Sequence, residues 1–355
     1  MKKWMVWALI TALLITVLAG CGAAPAVPAP TEAPAVTQAP AEEITEENAE
    51  EVKEESAETV TVRLGALTGP TAMGLVKLLA DDAASDAPRY DFLLGGAADE
   101  LTPKLLQGEL DIAAVPLNLG SVLYNKTGGA VELAAVNVLG VLYLCEYGES
   151  RISSWEDLRG QTVYATGKGA MPEYYLRYLL AENGLDFDKD VTVEFKSEPA
   201  EVVALLKGSD YGIAVLPQPY VTAAKGQLGE DFRSVLSFSE EWDALDNGSR
   251  CVTAGILVRR EFAEAHPEAV EAFLSEFADS VAWVNANAAE AGELCESYGI
   301  IKAAVAAKAI PACNVVCITG PEMKEAASGC LQVLFDLNGA AVGGAVPGDD
   351  YYYGA

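Results

Sequence analysis

The chain has 355 residues, 51% of them hydrophobic, and its 52 Asp and Glu against 23 Lys and Arg give a formal net charge of -29. Such an acidic chain repels phosphates, and the sequence has no concentrated basic patch, so we expect no nucleic-acid partner. The only histidine, His266, precedes Pro267 at a predicted helix start, where a solvated capping role is expected. Metal sites that need several histidines are therefore excluded, and the cysteine spacing matches no metal-binding framework.

Residues 1–20 are predicted to be a signal peptide. Lys2 and Lys3 precede an apolar run from Trp4 to Val17, which is shorter than the roughly 20 residues that a membrane-spanning helix needs. The run ends in Leu18-Ala19-Gly20-Cys21, which resembles the bacterial lipobox, where the leader is cut before the cysteine and the thiol receives a diacylglycerol. We therefore expect a lipid anchor on Cys21, with ordinary secretion and an uninvolved cysteine as the alternative.

Residues 21–59 are predicted to form a disordered tether behind this anchor. Ten Ala, ten Glu and five Pro occur among the 37 positions from 22 to 58, without an aromatic residue. A segment of this composition cannot bury enough apolar surface to fold, and its later part repels itself. We expect it to hold the folded part away from the outer face of the cell membrane.

The folded part contains an internal repeat whose elements recur at offsets between 98 and 101 residues. The recurring pairs are Thr68-Gly69 with Thr166-Gly167, Leu78-Leu79-Ala80 with Leu179-Leu180-Ala181, Leu105-Leu106-Gln107-Gly108 with Leu205-Leu206-Lys207-Gly208, and Pro116 with Pro217. Each copy is predicted to run strand, glycine-containing turn, helix, second helix and strand, which is typical of βα units with parallel strands. Two such units imply two lobes, and ligands of open α/β sheets bind outside the carboxyl ends of the strands.

A further strand is predicted at 251–258, followed by helices that have to pack against one of the lobes. The simplest topology places residues 60–143 and 251–355 in lobe 1 and residues 144–250 in lobe 2. The chain then crosses twice between the lobes, and the two crossings form a hinge. The predicted fold class is therefore α/β with two lobes and two hinge crossovers, and closure of the lobes captures the ligand.

Two glycine-containing turns are predicted to meet at the crevice between the lobes. Corner 1 consists of Thr68, Gly69, Pro70 and Thr71, and corner 2 consists of Thr166, Gly167, Lys168, Gly169 and Ala170. Each corner precedes a helix whose first amides lack acceptors within the helix and carry partial positive charge, so the pair suits an anionic or strongly polar group. Plain turn chemistry is the alternative for the glycines, and a solvated side chain is the alternative for Lys168. Corner 2 lacks the spacing of a Walker loop, which excludes nucleotide hydrolysis.

The helix after corner 1 is predicted to start at Pro70 or Thr71 and to keep Met73, Val76 and Leu79 on one face.

Three side-chain amides are further candidates for ligand contact. Asn118 and Gln218 follow the prolines that end the last strand of each copy, at the same edge of the crevice. Asn137 is a lone amide in an apolar strand, where it either satisfies backbone groups or points into the crevice.

These residues resemble those of the solute-binding lipoproteins of bacterial ABC importers, in the branch with the thiamine-precursor, sulfonate and nitrate binding proteins. The matching stretches are 64–74, 108–118, 166–169, 309–311 with Asn314, and 347–353. The resemblance implies a periplasmic-binding-protein-like fold of type II, without a cofactor, that hands a small-molecule solute to a membrane permease and its ATPase. It also implies an acidic loop at Glu240-Glu241-Trp242, where Trp242 either stacks on a flat ligand or packs in the core.

Three hypotheses about function remain open from the sequence. The first is a non-enzymatic, extracytoplasmic binding protein of an ABC importer. The second is an enzyme on the same fold that acts on a small organic acid; it would need an Asp or Glu with a raised pKa in the crevice, and Asp111 is the candidate. The third is a surface sensor that binds a solute and signals without import.

Overall fold

The computed structural model describes residues 60–355, so the predicted leader, Cys21 and the predicted tether lie outside the described residues. The strands in chain order are β1 (Val62–Leu67), β2 (Tyr90–Gly95), β3 (Ile112–Pro116), β4 (Val131–Leu139), β5 (Leu142–Tyr147), β6 (Thr162–Ala165), β7 (Thr192–Phe195), β8 (Gly212–Pro217), β9 (Phe232–Ser237), β10 (Val252–Arg259) and β11 (Val315–Ile318). They form a six-stranded sheet A, in the order β11-β4-β10-β3-β1-β2, and a five-stranded sheet B, in the order β7-β6-β8-β5-β9.

Helices flank both sheets. In chain order they are α1 (Pro70–Met73), α2 (Val76–Ala83), α3 (Ala98–Leu106), α4 (Leu117–Thr127), α5 (Met171–Glu182), α6 (Pro199–Lys207), α7 (Tyr220–Leu228), α8 (Phe238–Asp243), α9 (Arg260–Ala265), α10 (Pro267–Ala286), α11 (Ala288–Ser297), α12 (Ala303–Ala309) and α13 (Gly320–Leu337). Short 3-10 turns lie at Trp155–Leu158, Gly229–Asp231, Ile310–Ala312, Gly339–Val342 and Asp349–Tyr351. None of the helices between residues 60 and 355 is long and apolar enough to cross a membrane.

The sequence repeat appears as the same arrangement of strands in both sheets. In sheet A, β1 pairs in parallel with β2 and β3, and the antiparallel strand β10 lies beside β3. In sheet B, β6 pairs in parallel with β7 and β8, and the antiparallel strand β5 lies beside β8. The predicted α/β class with parallel βα units is therefore confirmed, and we use lobe 1 and lobe 2 for the parts built on sheets A and B.

The carboxyl ends of the parallel strands in both sheets lie at the chain crossings. Only two residues separate β4 from β5, and β5 pairs its first residue, Leu142, with Pro217 at the carboxyl end of β8. The second crossing runs through α8 to β10, which pairs Val252 with Leu139 and Ala254 with Pro116. The carboxyl edge of each sheet therefore adjoins the crossings, which is where an open α/β sheet binds its ligand.

A hydrophobic core runs without interruption from one sheet to the other. Leu139 and Leu142, on either side of the first crossing, belong to the same buried cluster as residues of α5 in lobe 2 and of α13. The six cysteines of the described region, at positions 145, 251, 295, 313, 317 and 330, are free thiols, and all except Cys317 are buried. Apart from Cys317, these cysteines act as small apolar residues of the core.

The helix predicted after corner 1 is divided in two, because a side chain from α10 enters its hydrogen-bond ladder. Ser280 is 2% exposed, accepts a hydrogen bond from the amide of Leu78 at 3.0 Å and donates to the carbonyl of Gly74 at 2.6 Å. These two backbone groups would bond to each other in a continuous helix. The inserted hydroxyl therefore separates α1 from α2.

Candidate ligand-binding site

Corner 1 lies between the end of β1 and the start of α1. Gly69 has a φ of 102°, and a Cβ at this position would meet no atom within 4 Å. The backbone conformation, rather than crowding, therefore requires glycine. Thr68 is exposed and Thr71 is half-buried, while the amide of Ala72 donates to the carbonyl of Gly69 at 3.1 Å and closes the turn.

Asn137 of β4 contacts corner 1 directly. Its side chain is 1% exposed, and Nδ2 donates to the carbonyl of Thr71 at 2.9 Å. Among the described residues, Oδ1 of Asn137 has no hydrogen-bond partner. The sequence predicted that this amide either satisfies backbone groups or points into the crevice. Its Nδ2 satisfies the Thr71 carbonyl, while its Oδ1 stays unpaired among the described residues.

Corner 2 is held by the first turn of its own helix, α5. The amide of Ala170 donates to the carbonyl of Gly167 at 3.0 Å, and the amide of Gly169 donates to Oε2 of Glu173 at 2.7 Å. Glu173 also accepts a hydrogen bond from Nε of Arg177 at 2.8 Å. The Gly169 amide, expected to be free for a ligand, is therefore occupied by a carboxylate whose charge Arg177 compensates.

Lys168 is the cation of corner 2. It is exposed, and within residues 60–355 its ammonium forms no ion pair or hydrogen bond with the protein. Thr166 and Gly167 are half-buried, and Ala170 is exposed at the helix start. An unpaired ammonium beside a helix start leaves this corner able to attract an anion.

Two other predicted residues, Asn118 and Gln218, have hydrogen-bond partners within the protein. Asn118, near the start of α4, donates to the carbonyl of Ala341 at 3.1 Å. Gln218 accepts a hydrogen bond from the hydroxyl of Thr222 at 2.9 Å and lines a cavity of about 600 Å³ along α7, to which α12 of lobe 1 contributes Lys308.

Trp242 is a core residue and does not reach a ligand surface. Its side chain is 0% exposed, it packs against the rings of Tyr175 and Tyr178, and Nε1 donates to Oγ of Ser249 at 2.8 Å. The structure thus selects the second of the two roles predicted for Trp242. Corner 1, corner 2 and Asn137 form the candidate site, and ligand contact by Asn118 and Gln218 stays a prediction.

The hinge contains contacts that the sequence did not reveal. A Cβ on Gly140 in the first crossing would lie 2.8 Å from Sγ of Cys251 in the second, so the two crossings pack side by side. Asn314 donates to the carbonyl of Gly140 at 2.5 Å, and the hydroxyl of Tyr143 donates to the carbonyl of Ala312 at 2.8 Å. Asn314 lies in a stretch that matches the solute-binding lipoproteins, whereas a tyrosine at a strand start carries no signal.

Two carboxyl groups of sheet A with shifted pKa values, Asp111 and Glu132, lie at the edge opposite the corners. Asp111 precedes β3; burial raises its pKa, but hydrogen bonds from Arg63 outweigh this effect and the net pKa is lowered. Burial raises the pKa of Glu132, which lies at the start of β4 and pairs with Arg260. Neither carboxyl group is at the edge that carries the corners, so Asp111 does not supply the crevice acid that an enzyme would need.

A second sizeable cavity lies between α2 and α10 in lobe 1. It has a volume of about 540 Å³, and its lining includes Lys77, Asp81 and Trp283. None of its lining residues belongs to either corner.

Comparison with solved structures shows which fold this is. An ABC transporter protein from Parabacteroides distasonis is 21% identical, with a TM-score of 0.70 over 82% of this chain and 98% of that one. The periplasmic aliphatic sulphonate binding protein SsuA from Escherichia coli is 18% identical, with a TM-score of 0.62 over 78% and 87%. The alkanesulfonate-binding protein SsuA from Xanthomonas axonopodis, bound to MOPS, is 16% identical, with a TM-score of 0.57 over 82% and 96%. These likenesses show the periplasmic-binding-protein fold.

A search of curated proteins found no match to this chain. The model of the NMT1-like family matches residues 96–298, which is more than half of the chain and includes corner 2 and Asn137. The predicted resemblance to this branch is confirmed. The protein therefore belongs to the NMT1-like family.

Proposed function

We propose that the protein is the extracytoplasmic substrate-binding component of an ABC importer and captures a small polar or anionic solute between corners 1 and 2. The observation that carries the proposal is the position of the two corners, each at the carboxyl edge of its sheet and both next to the chain crossings. The structural relatives support this role, because those from E. coli and Xanthomonas are described as sulfonate-binding proteins.

The solute is held by groups from both lobes. Corner 1 offers the amides of a helix start and the hydroxyls of Thr68 and Thr71, and corner 2 offers the Thr166 hydroxyl and the Lys168 ammonium. Because residues 140–141 and the segment from α8 to β10 connect the lobes, rotation about these crossings closes the crevice over the solute. The lobes proposed are 60–143 with 251–355, and 144–250.

A binding role accounts for the site better than catalysis does. The carboxyl group of Glu173 at corner 2 is engaged by the Gly169 amide and Arg177, and the buried carboxylate of Asp111 lies at the far edge of the sheet. The bound solute would leave unchanged and pass to a permease and its ATPase. Recovery of an intact solute after long incubation separates this role from the enzyme, and a neighbouring permease gene separates it from the sensor.

We also propose that the protein is attached to the outer face of the cell membrane by a lipid on Cys21. The lipobox-like tetrapeptide and the Ala, Pro and Glu composition of residues 21–59 support this proposal. The tether would let the folded part reach the permease while the lipid keeps it at the membrane.

A thermal-shift screen of small sulfonates, carboxylates, nitrate and pyrimidines tests the function. A solute at 100 times its dissociation constant stabilises the folded protein by about 2.7 kcal/mol, which is readily measured. The solute identified should then bind Lys168→Ala more weakly by about 1 to 3 kcal/mol. Lys207→Ala is the matched control, since Lys207 is an exposed lysine of the same lobe at the end of α6. Equal affinities for both variants would remove Lys168 from the site.

A further inference from the structure

Corner 2 is connected to lobe 1 by a chain of side-chain hydrogen bonds. The hydroxyl of Tyr174 donates to the carbonyl of Gly169 at 3.0 Å, and the same hydroxyl accepts a hydrogen bond from Nδ2 of Asn338 at 2.7 Å. Tyr174 belongs to α5 and is 8% exposed, whereas Asn338 follows α13 at the start of the 3-10 turn Gly339–Val342. One tyrosine hydroxyl therefore joins a corner of lobe 2 to the C-terminal segment.

The C-terminal segment is in turn fixed to α4 of lobe 1. The hydroxyl of Ser121 donates to the carbonyl of Val342 at 2.7 Å, and Nδ2 of Asn125 donates to the same carbonyl at 2.8 Å. Asn118 donates to the neighbouring carbonyl of Ala341 at 3.1 Å. Ser121 is 0% exposed, so this end of the connection is buried and rigid.

The hydrogen bonds from Asn338 through Tyr174 end at Gly169, the residue that follows Lys168 in corner 2. Gly169 has a φ of 72°, and its amide is held by Glu173 of the same helix while its carbonyl is held by Tyr174. The peptide groups on both sides of Gly169 are thus fixed. One of them is the peptide bond that joins Lys168 to Gly169. Both bonds to Gly169 lie within lobe 2, but the Tyr174 hydroxyl also accepts a hydrogen bond from Asn338 of lobe 1, which the Glu173 carboxylate does not.

We propose that Tyr174 and Asn338 form an interlobe latch that positions corner 2 for solute capture. The latch rests on the proposed function, in which Lys168 and its turn hold the solute. Tyr174 and Asn338 are positioning residues that act through the Gly169 carbonyl and do not touch the solute themselves. Asn338 of lobe 1 restrains the Tyr174 hydroxyl, and through it the Gly169 carbonyl. The position of corner 2 therefore depends on lobe 1 as well as on lobe 2 when the lobes rotate.

Hydrogen exchange of the solute-free, full-length protein tests the latch without knowledge of the solute. Tyr174→Phe removes the shared hydroxyl, and Asn338→Ser removes the amide donor while keeping a side-chain oxygen to accept from the Ala340 amide. Each variant should raise the exchange rate in the peptide covering 166–173 by about three- to tenfold, the range expected for one lost hydrogen bond. The double variant should exchange no faster than Tyr174→Phe alone, because that change already breaks both hydrogen bonds of the shared hydroxyl.

The matched control is Tyr178→Phe, one turn later on the same helix. Tyr178 accepts a hydrogen bond from Nδ2 of Asn247 at 2.7 Å, which is the same chemistry within residues 144–250. This variant should leave exchange at 166–173 unchanged. Unchanged exchange in Asn338→Ser, or rates that multiply in the double variant, would overturn the latch. Asn338 is exposed, so its variant folds even if Tyr174→Phe does not.

Binding of the solute from the thermal-shift screen gives a second readout. Asn338→Ser should raise the solute's dissociation constant about three- to tenfold while its melting temperature stays within a degree or two of the parent protein. An unchanged dissociation constant beside faster exchange would contradict a positioning role. Failure of the screen to find any solute would count against the proposed function, whereas the exchange experiment decides the latch separately.

Discussion

The side-chain Nδ2 of Asn137 donates to the carbonyl of Thr71 at 2.9 Å, and this bond fixes corner 1 to strand β4, which leads directly into the hinge. The two residues are 66 positions apart in the chain, and Asn137 is buried among apolar neighbours. A polar side chain in such a place is retained when its hydrogen bond compensates the loss of water.

Asn137→Ala should lower the free energy of unfolding by about 1 to 3 kcal/mol, because the Thr71 carbonyl loses its partner. Asn137→Asp should lower the free energy of unfolding further at neutral pH, since it buries a charge and places an oxygen against the Thr71 carbonyl. Protonation restores a donor, so the extra cost of Asp should shrink as the pH falls. Urea unfolding at several pH values measures both effects. Equal stabilities of the two variants at neutral pH would show that this bond does not hold corner 1.

Asp111 is expected to stabilise the protein at neutral pH and to lose this effect in acid. Its carboxylate is 0% exposed and accepts hydrogen bonds from Arg63 Nε at 2.8 Å and from the Arg63 amide at 3.0 Å, with Arg259 nearby at 3.3 Å. Because its folded-state pKa is lowered, the stabilisation is fully present above the unfolded-state pKa of about 3.9 and disappears as the pH falls through the folded-state value.

Asp111→Asn should therefore destabilise the protein by about 1 to 3 kcal/mol at pH 7, as expected when a buried carboxylate loses hydrogen bonds from partly exposed arginines. The difference from the parent protein should shrink as the pH falls below about 4. Asp91→Asn is the control, because Asp91 is an exposed carboxylate near Arg63. A loss for Asp111→Asn that stays constant down to acidic pH would contradict the assigned pKa direction.

Gly167→Ala and Gly169→Ala form a matched pair in corner 2. Both glycines have positive φ values, of 78° and 72°, so each alanine should cost about 1 to 2 kcal/mol for its backbone conformation. A Cβ at Gly167 would also lie 2.8 Å from Cγ of Pro172, whereas one at Gly169 would meet nothing within 4 Å. Gly167→Ala should thus be the more destabilising variant in urea unfolding, and equal losses would argue against this packing of corner 2.

Cys21→Ser should release the protein from the membrane fraction of its cells. The thiol is the attachment point of the proposed lipid, and residues 21–59 have no apolar stretch that would hold the protein at a bilayer. Immunoblots of membrane and soluble extracytoplasmic fractions measure the distribution. Continued association of Cys21→Ser with membranes after residues 1–20 have been removed would defeat the lipobox interpretation.

The two-lobe fold could be predicted because its signals are local and occur twice. Apolar strands, glycine turns and helix faces recur about 100 residues apart, so the two copies are predicted to fold into the same arrangement of strands and helices. Strands β2 and β7 were missed because both lie at sheet edges and are short, and a charged residue in each, Asp91 and Glu194, interrupts the apolar positions. The division of α1 from α2 was also missed, since it depends on Ser280, about 200 positions away.

The candidate site was only partly predictable. Glycines 69, 167 and 169 could be identified because turn chemistry shows in the residues themselves. The partners of Asn118 and Trp242 could not, since they depend on how the C-terminal segment and α5 pack. Tyr174 and Asn338 gave no sequence signal at all, because a tyrosine in a helix and an asparagine after one are ordinary.

The most direct test of solute capture between the lobes is the hydrogen-exchange footprint of the solute that most stabilises the protein. Saturating solute should slow exchange in the peptides covering 68–72 and 166–171 together, because both corners contact it. Protection confined to one corner, or to the α2 and α10 residues around Trp283, would contradict capture of the solute between the two lobes.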